Sequence, residues 1–140
     1  PMANAQMEAI DGRRLEIFLE KFASEVRPVH HSSELLTLLR SRGIVTLLAT
    51  SAGKEERRAL LEAAGLQGQF PPAEPGRYRL SSDRLLSSLR GHAFQPSQCL
   101  VVGDSAHDLE AASQAGMRSL ALETGAWTGK TLGQAATVLS

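Results

Sequence analysis

Apolar residues recur at Ile10, Leu15, Phe18, Leu19, Phe22 and Val26 with charges between them, a spacing that predicts a helix within Gln6 to Val26. Pro28 ends that segment. Ser32 and Ser33 stand where a cap is expected for a second helix carrying Leu35, Leu36, Leu38 and Leu39, and Gly43 terminates it. The pattern then changes period. Ile44 to Ala49 is a short, continuously apolar run of the kind found in buried parallel strands. Thr50-Ser51-Ala52-Gly53 opens a charged helix reaching Ala64, with Gly65 at its end. A Pro- and Gly-rich stretch from Gln67 to Gly76 is the one linker-like segment. Beyond it the pattern predicts a helix over Ser82–Arg90, a strand over Cys99–Val102, a helix over Ala106–Ala115 and a strand over Arg118–Leu122. A short helix near Leu132 and a last strand over Thr137–Leu139 complete the reading.

Strand-helix-strand alternation of this kind implies an α/β fold, a three-layer sandwich with helices on both faces of a parallel sheet. The helical segment 1–28 stands apart from an α/β core expected over 29–140. With 140 residues the chain has the length of one domain, enough to bury roughly 70% of its unfolded surface. Its 42% hydrophobic and 21% charged content is ordinary for a globular protein. Fifteen basic residues balance fifteen acidic ones, so no overall field attracts nucleic acid or an anionic membrane. The local pairs Arg13-Arg14 and Arg57-Arg58 read as solvated helix faces. Cys99, the single cysteine, has no internal disulfide partner, which fits a reducing compartment. No apolar run approaches the ~20 residues of a membrane span, no signal-peptide pattern opens the chain, and a cytoplasmic setting is expected. Pro1 ahead of Met2 reads as a residue left over from expression, with Met2 the start of the coding frame.

The chemistry concentrates where strands end. In open parallel sheets, ligands bind outside the carboxyl ends of the strands. After Cys99–Val102 come Gly103-Asp104-Ser105, and a second carboxylate, Asp108, follows one helical turn later. Two acids without an adjacent basic residue suit Mg²⁺, which takes one or two carboxylates with water and substrate phosphate completing the shell. The alternative is that Asp104 and Ser105 cap the next helix. After Ile44–Ala49 come Thr50 and Ser51, hydroxyls ahead of a helix N-terminus, where free N–H groups and the helix dipole favour a phosphate. For these, too, plain capping is the alternative.

These residues carry a family resemblance. The stretches VRPVHHSSELLTLLRSRGIVTLLATSAGKEERRALLEAAGL and VVGDSAHDLEAASQAGMRSLALETGAW are similar to the second- and fourth-motif segments of the haloacid dehalogenase-like (HAD) superfamily, mostly Mg²⁺-dependent phosphohydrolases. The resemblance covers about Arg13 to Leu139. It implies a HAD-like Rossmannoid core in which Thr50, with Ser51 beside it, binds the phosphoryl group of a small phosphorylated molecule. It makes Asp104 and Asp108 the implied Mg²⁺ ligands. In place of the third motif, a Lys four residues before a helix-starting Asp, stands RLSSD, with Arg79 where the Lys is expected. Arg79 keeps the positive charge, although a planar guanidinium is not interchangeable with an ammonium.

The first motif, hhhhDxDGT, has no counterpart. Its nearest match is AIDGRRL, with Ala9 in the place of the nucleophile and Arg13 in that of the Thr. An alanine methyl cannot attack phosphorus. By periodicity this segment is helical, and DGRRLEIFLEKFASEVRP resembles a last cap helix. The chain thus resembles a family member truncated at its N-terminus, without the central first strand and most of the cap. No catalytic residue is identified, and the chain alone is expected to be inactive. The strand positions flanking the vacancy must pair directly, leave a gap or accept a strand from elsewhere. An open edge favours self-association or a partner chain, which makes a non-catalytic binding module the rival reading.

Other signals fall short. Thr128-Gly129-Lys130-Thr131 lacks the first Gly of a P-loop, since position 124 is Thr. His30-His31 has no second ligand cluster for zinc. His107 reads as an exposed helix-start residue, and no G-x-S-x-G elbow is present. Trp127 and Tyr78 are too isolated for a base-stacking platform.

Overall fold

The computed structural model describes residues 2–71, 80–124 and 137–139. The chain divides into two compact units, one of Pro1–Thr46 with Ala52–Pro75, the other of Leu47–Ser51 with Gly76–Ser140.

The first unit is helical. Helix α1 spans Met2–Lys21, α2 spans Ser32–Ser41 and α3 spans Lys54–Ala63. AIDGRRL lies inside α1, so the helical reading of that segment holds. Helix α2 begins differently from expectation. Ser32 and Ser33 are its first two residues, and the cap position belongs to His31 in a left-handed conformation (φ 61°), with no side-chain cap bond. Gly43 and Gly65 end α2 and α3 with φ of 70° and 66°, the left-handed geometry for which glycine carries no Cβ penalty. Neither Thr50 nor Ser51 caps α3: the helix starts at Lys54, and Gly53 takes the cap position without a side-chain bond. Of the two basic pairs, Arg13, Arg14 and Arg58 are exposed as expected, whereas Arg57 is half-buried and engaged in an interaction. Arg13 pairs with Glu16, and Arg58 with Glu55 and Glu62. Arg14 donates two hydrogen bonds, each of 2.8 Å, to the Glu56 carboxylate, joining α1 to α3. Those bonds and the Glu56 charge hold the Arg14 guanidinium above its ordinary pKa.

The second unit holds the sheet. Strands β1 (Leu100–Gly103), β2 (Arg118–Leu122) and β3 (Thr137–Leu139) pair in parallel in the order β1-β2-β3. The register sets Leu100 beside Arg118 and Gly103 beside Ala121. Helix α5 (Ala106–Gln114) crosses from β1 to β2 and packs on both strands, and α4 (Ser82–Ser88) packs on α5. Short side chains make this possible. Leu85, Ala111, Ala112, Ala115 and Met117 form a buried cluster, edged by Leu80, Leu89, Cys99 and Val101. Leu109 is fully buried on α5. Ser81 caps α4 by accepting from the Arg84 N–H, and Gly116 (φ 70°) lets the chain leave α5 for β2.

One expected strand is absent from the described ladders. Ile44–Ala49 has no ladder partner among the described residues, and Ile44 and Val45 are about half exposed. The segment does not pair with β1. Among the described residues β1 is bonded on one side only, by β2, and Leu100 and Val102 are 54% and 53% exposed. An apolar run becomes a strand only when another strand supplies its hydrogen bonds. The short helix expected near Leu132 lies outside the described residues.

Because Leu109 sits at 0% exposure between α5 and the rest of its unit, Leu109→Ala removes a full core side chain. It is expected to cost about 2–5 kcal/mol of unfolding free energy, read as a fall in urea midpoint with unchanged slope.

Candidate functional site

The two carboxylates singled out in the sequence flank the turn between a strand and a helix. Strand β1 runs to Gly103, the chain passes Asp104 and Ser105, and α5 begins at Ala106. Ser105 takes the helix cap position in extended conformation (φ −127°, ψ 151°). Its hydroxyl accepts from the Asp108 N–H (3.3 Å) and donates to Asp108 Oδ2 (2.8 Å). Its backbone N–H donates to the same oxygen (3.2 Å). This is a reciprocal capping box in which Asp108 takes the role more often given to Glu or Gln. The capping alternative is therefore realised, with Ser105 as the cap and Asp108 as its partner.

Capping and ligation do not exclude each other here. The three bonds engage Asp108 Oδ2 and the Asp108 N–H, and no bond to Oδ1 occurs among the described residues. Asp108 is half-buried, and the hydrogen bonds to its carboxylate fall on one oxygen. Asp104 is exposed at the strand end and accepts no hydrogen bond among the described residues. Both acids lie at the carboxyl end of a parallel strand and at the first turn of a helix, where the helix dipole favours anionic groups. The donors are hard carboxylate oxygens, two in number, which matches the protein share of a Mg²⁺ shell. The residues present therefore fit a divalent cation. Among the described residues no group of three or more His, Cys, Asp or Glu comes together.

Thr50 and Ser51 belong to the same compact unit as β1 and α5, at the end of the apolar run that precedes Gly53. Thr50 is half-buried and engaged in an interaction, whereas Ser51 is exposed. Arg79, Tyr78, Trp127 and Thr128–Thr131 lie outside the described residues. His107, in the first turn of α5, is half-buried and engaged, not exposed as its position in the sequence suggests. The sequence reading overlooked Gly103. A Cβ built there would lie 2.6 Å from Asp108 Cβ and 2.9 Å from Asp108 Oδ2.

The two acids thus differ in structural weight. Asp108→Ala breaks the capping box and is expected to cost about 1 kcal/mol in metal-free buffer. Asp104→Ala removes an exposed side chain and is expected to stay within about 0.5 kcal/mol of the parent. Chemical denaturation in EDTA reads the difference.

The chain is similar to known proteins in sequence and in fold. A curated phosphoglycolate phosphatase from Synechococcus elongatus is 34% identical over 94 residues, which is 66% of this chain and 44% of the relative. A hydrolase from Pseudomonas syringae superposes with a TM-score of 0.81 at 21% identity, covering 97% of this chain and 66% of that one. A HAD family hydrolase from Deinococcus radiodurans, solved with bound phosphate and sodium, gives 0.77 at 21% identity over 90% of this chain and 62% of that one. The chain therefore spans less than half of the curated relative, and less than two thirds of the Deinococcus hydrolase. The likeness to these structures shows an α/β Rossmannoid fold, with which the helices and small parallel sheet of this chain agree. Among the described residues no helix is long and apolar enough to cross a membrane. A family model for haloacid dehalogenase-like hydrolases matches residues 3–122, and the chain belongs to that family.

Proposed function

We propose that this chain carries the cation- and phosphate-holding half of a phosphoric ester hydrolase. The observation behind the proposal is the β1–α5 turn, which holds the Asp108 carboxylate by one oxygen beside the exposed Asp104. Asp104 and Asp108 would hold Mg²⁺, which supplies charge neutralisation for a phosphoryl group when bound. Each residue has a physical task. Asp104 presents a solvated carboxylate. Asp108 presents one whose rotation is already restricted by Ser105. Thr50 offers a hydroxyl to a phosphoryl oxygen at the end of the 44–49 run, with Ser51 next to it. Arg79 offsets phosphate charge. The identity to a phosphoglycolate phosphatase supports a small phosphorylated molecule as the substrate class.

The division of labour extends to what this chain does not bring. No Asp-x-Asp pair occurs in its residues, and AIDGRRL sits in the middle of α1 and not after a strand. In-line attack on phosphorus requires a carboxylate or an activated water. We therefore read the chain alone as a binding scaffold without turnover, its catalytic carboxylate to be supplied by other residues.

The purified chain with Mg²⁺ is expected to leave p-nitrophenyl phosphate unhydrolysed above the buffer rate. Hydrolysis that disappears in an Asp104→Ala variant would overturn this reading.

A further inference from the structure

The candidate cation site contains two residues that touch no cation themselves yet determine how one of its carboxylates stands. Asp108 Oδ2 receives two hydrogen bonds from Ser105, one from the hydroxyl and one from the backbone N–H. Those bonds occupy the oxygen and fix both side-chain torsions of Asp108. A free Asp carboxylate would populate several orientations and lose that freedom on binding a metal. Held this way, it has lost it already, and Oδ1 is left as the donor that a small, strongly hydrated cation can take.

Gly103 makes the room for this. Its φ is not positive, so the backbone there makes no demand for glycine. Space does. A Cβ at position 103 would fall 2.6 Å from Asp108 Cβ and 2.9 Å from Oδ2, separations that real Cβ contacts essentially never show, and a tight 3.1 Å from Cγ. Asp108 would have to leave the place in which Ser105 grips it. The glycine and the serine thus act on the same carboxylate from two directions, one by absence of atoms and one by hydrogen bonds.

We propose that Ser105 and Gly103 are positioning residues for Asp108, setting its carboxylate for single-oxygen ligation of a divalent cation. The inference rests on the cation-site reading above and deepens it. Outer-shell groups that orient a ligand commonly carry about 10–100-fold of metal affinity.

The experiment measures Mn²⁺ affinity from water-proton relaxation for the parent chain, Ser105→Ala, Ser105→Thr and Gly103→Ala. Thermal unfolding in EDTA is recorded for each. Ser105→Ala and Gly103→Ala are expected to weaken Mn²⁺ by about 10-fold or more. Ser105→Thr, which keeps the hydroxyl, should return to within about 3-fold of the parent. Cooperative unfolding of the variants in EDTA separates positioning from loss of fold, and Ser105→Thr carries the comparison if either other variant fails to fold. Parent-like affinity in Ser105→Ala and Gly103→Ala overturns the positioning role and leaves the cation site standing. Ser105→Thr as weak as Ser105→Ala also overturns it. A parent chain that binds no Mn²⁺ overturns the site and the inference together.

Discussion

The carboxylate of Asp108, turned back onto Ser105, is the contact on which the useful part of this structure hangs. It ties the end of β1 to the first turn of α5 through two bonds to one oxygen and a third to the Asp108 N–H. Helix α5 in turn carries Leu109, Ala111 and Ala112, all buried, with Leu109 and Ala112 at 0% exposure. A shift of the turn would be felt along the helix that closes the core. The same bonds decide what the strand end can offer to a ligand. Packing and chemistry therefore share one constraint: α5 must start where Asp108 can reach back.

This sharing explains the residue choices around the turn. Gly103 leaves space for a carboxylate, not for an unusual backbone angle. Ser105 uses its hydroxyl twice, as acceptor for a helix N–H and as donor to the acid three residues on. Asp104 takes no part in the cap and stays in water. One acid is built into the fold and the other is left to the solvent. The two residues that would hold a divalent cation thus offer one fixed and one adaptable carboxylate.

Much of this was legible from residue pattern. The β2 boundaries and the helix ends at Gly43 and Gly65 follow from local rules: apolar runs and glycine at positive φ. What local rules missed were relations between residues. Ile44–Ala49 has the composition of a buried strand, but a strand is defined by its partner, and the described residues provide none. Among the described residues β1 is likewise paired on one side only, and Leu100 and Val102, on one face of the strand, are half exposed. The His31 cap escaped notice because Ser32 and Ser33 have better capping side chains, and the turn before α2 overrode that preference with a left-handed residue. The role of Gly103 was invisible because it depends on a through-space distance to Asp108. The S-x-x-D spacing of Ser105 and Asp108 was the available hint.

The central claim is that the β1–α5 turn is a cation site. Residue-resolved NMR during a Mg²⁺ titration tests it most directly. The account predicts saturable shifts of the backbone amides from Gly103 to Leu109, with the largest at Ser105 and Asp108, whose N–H groups take part in the clamp. Shifts centred on another acidic surface, such as Glu55 and Glu56 at the start of α3, would contradict it, as would an unchanged spectrum.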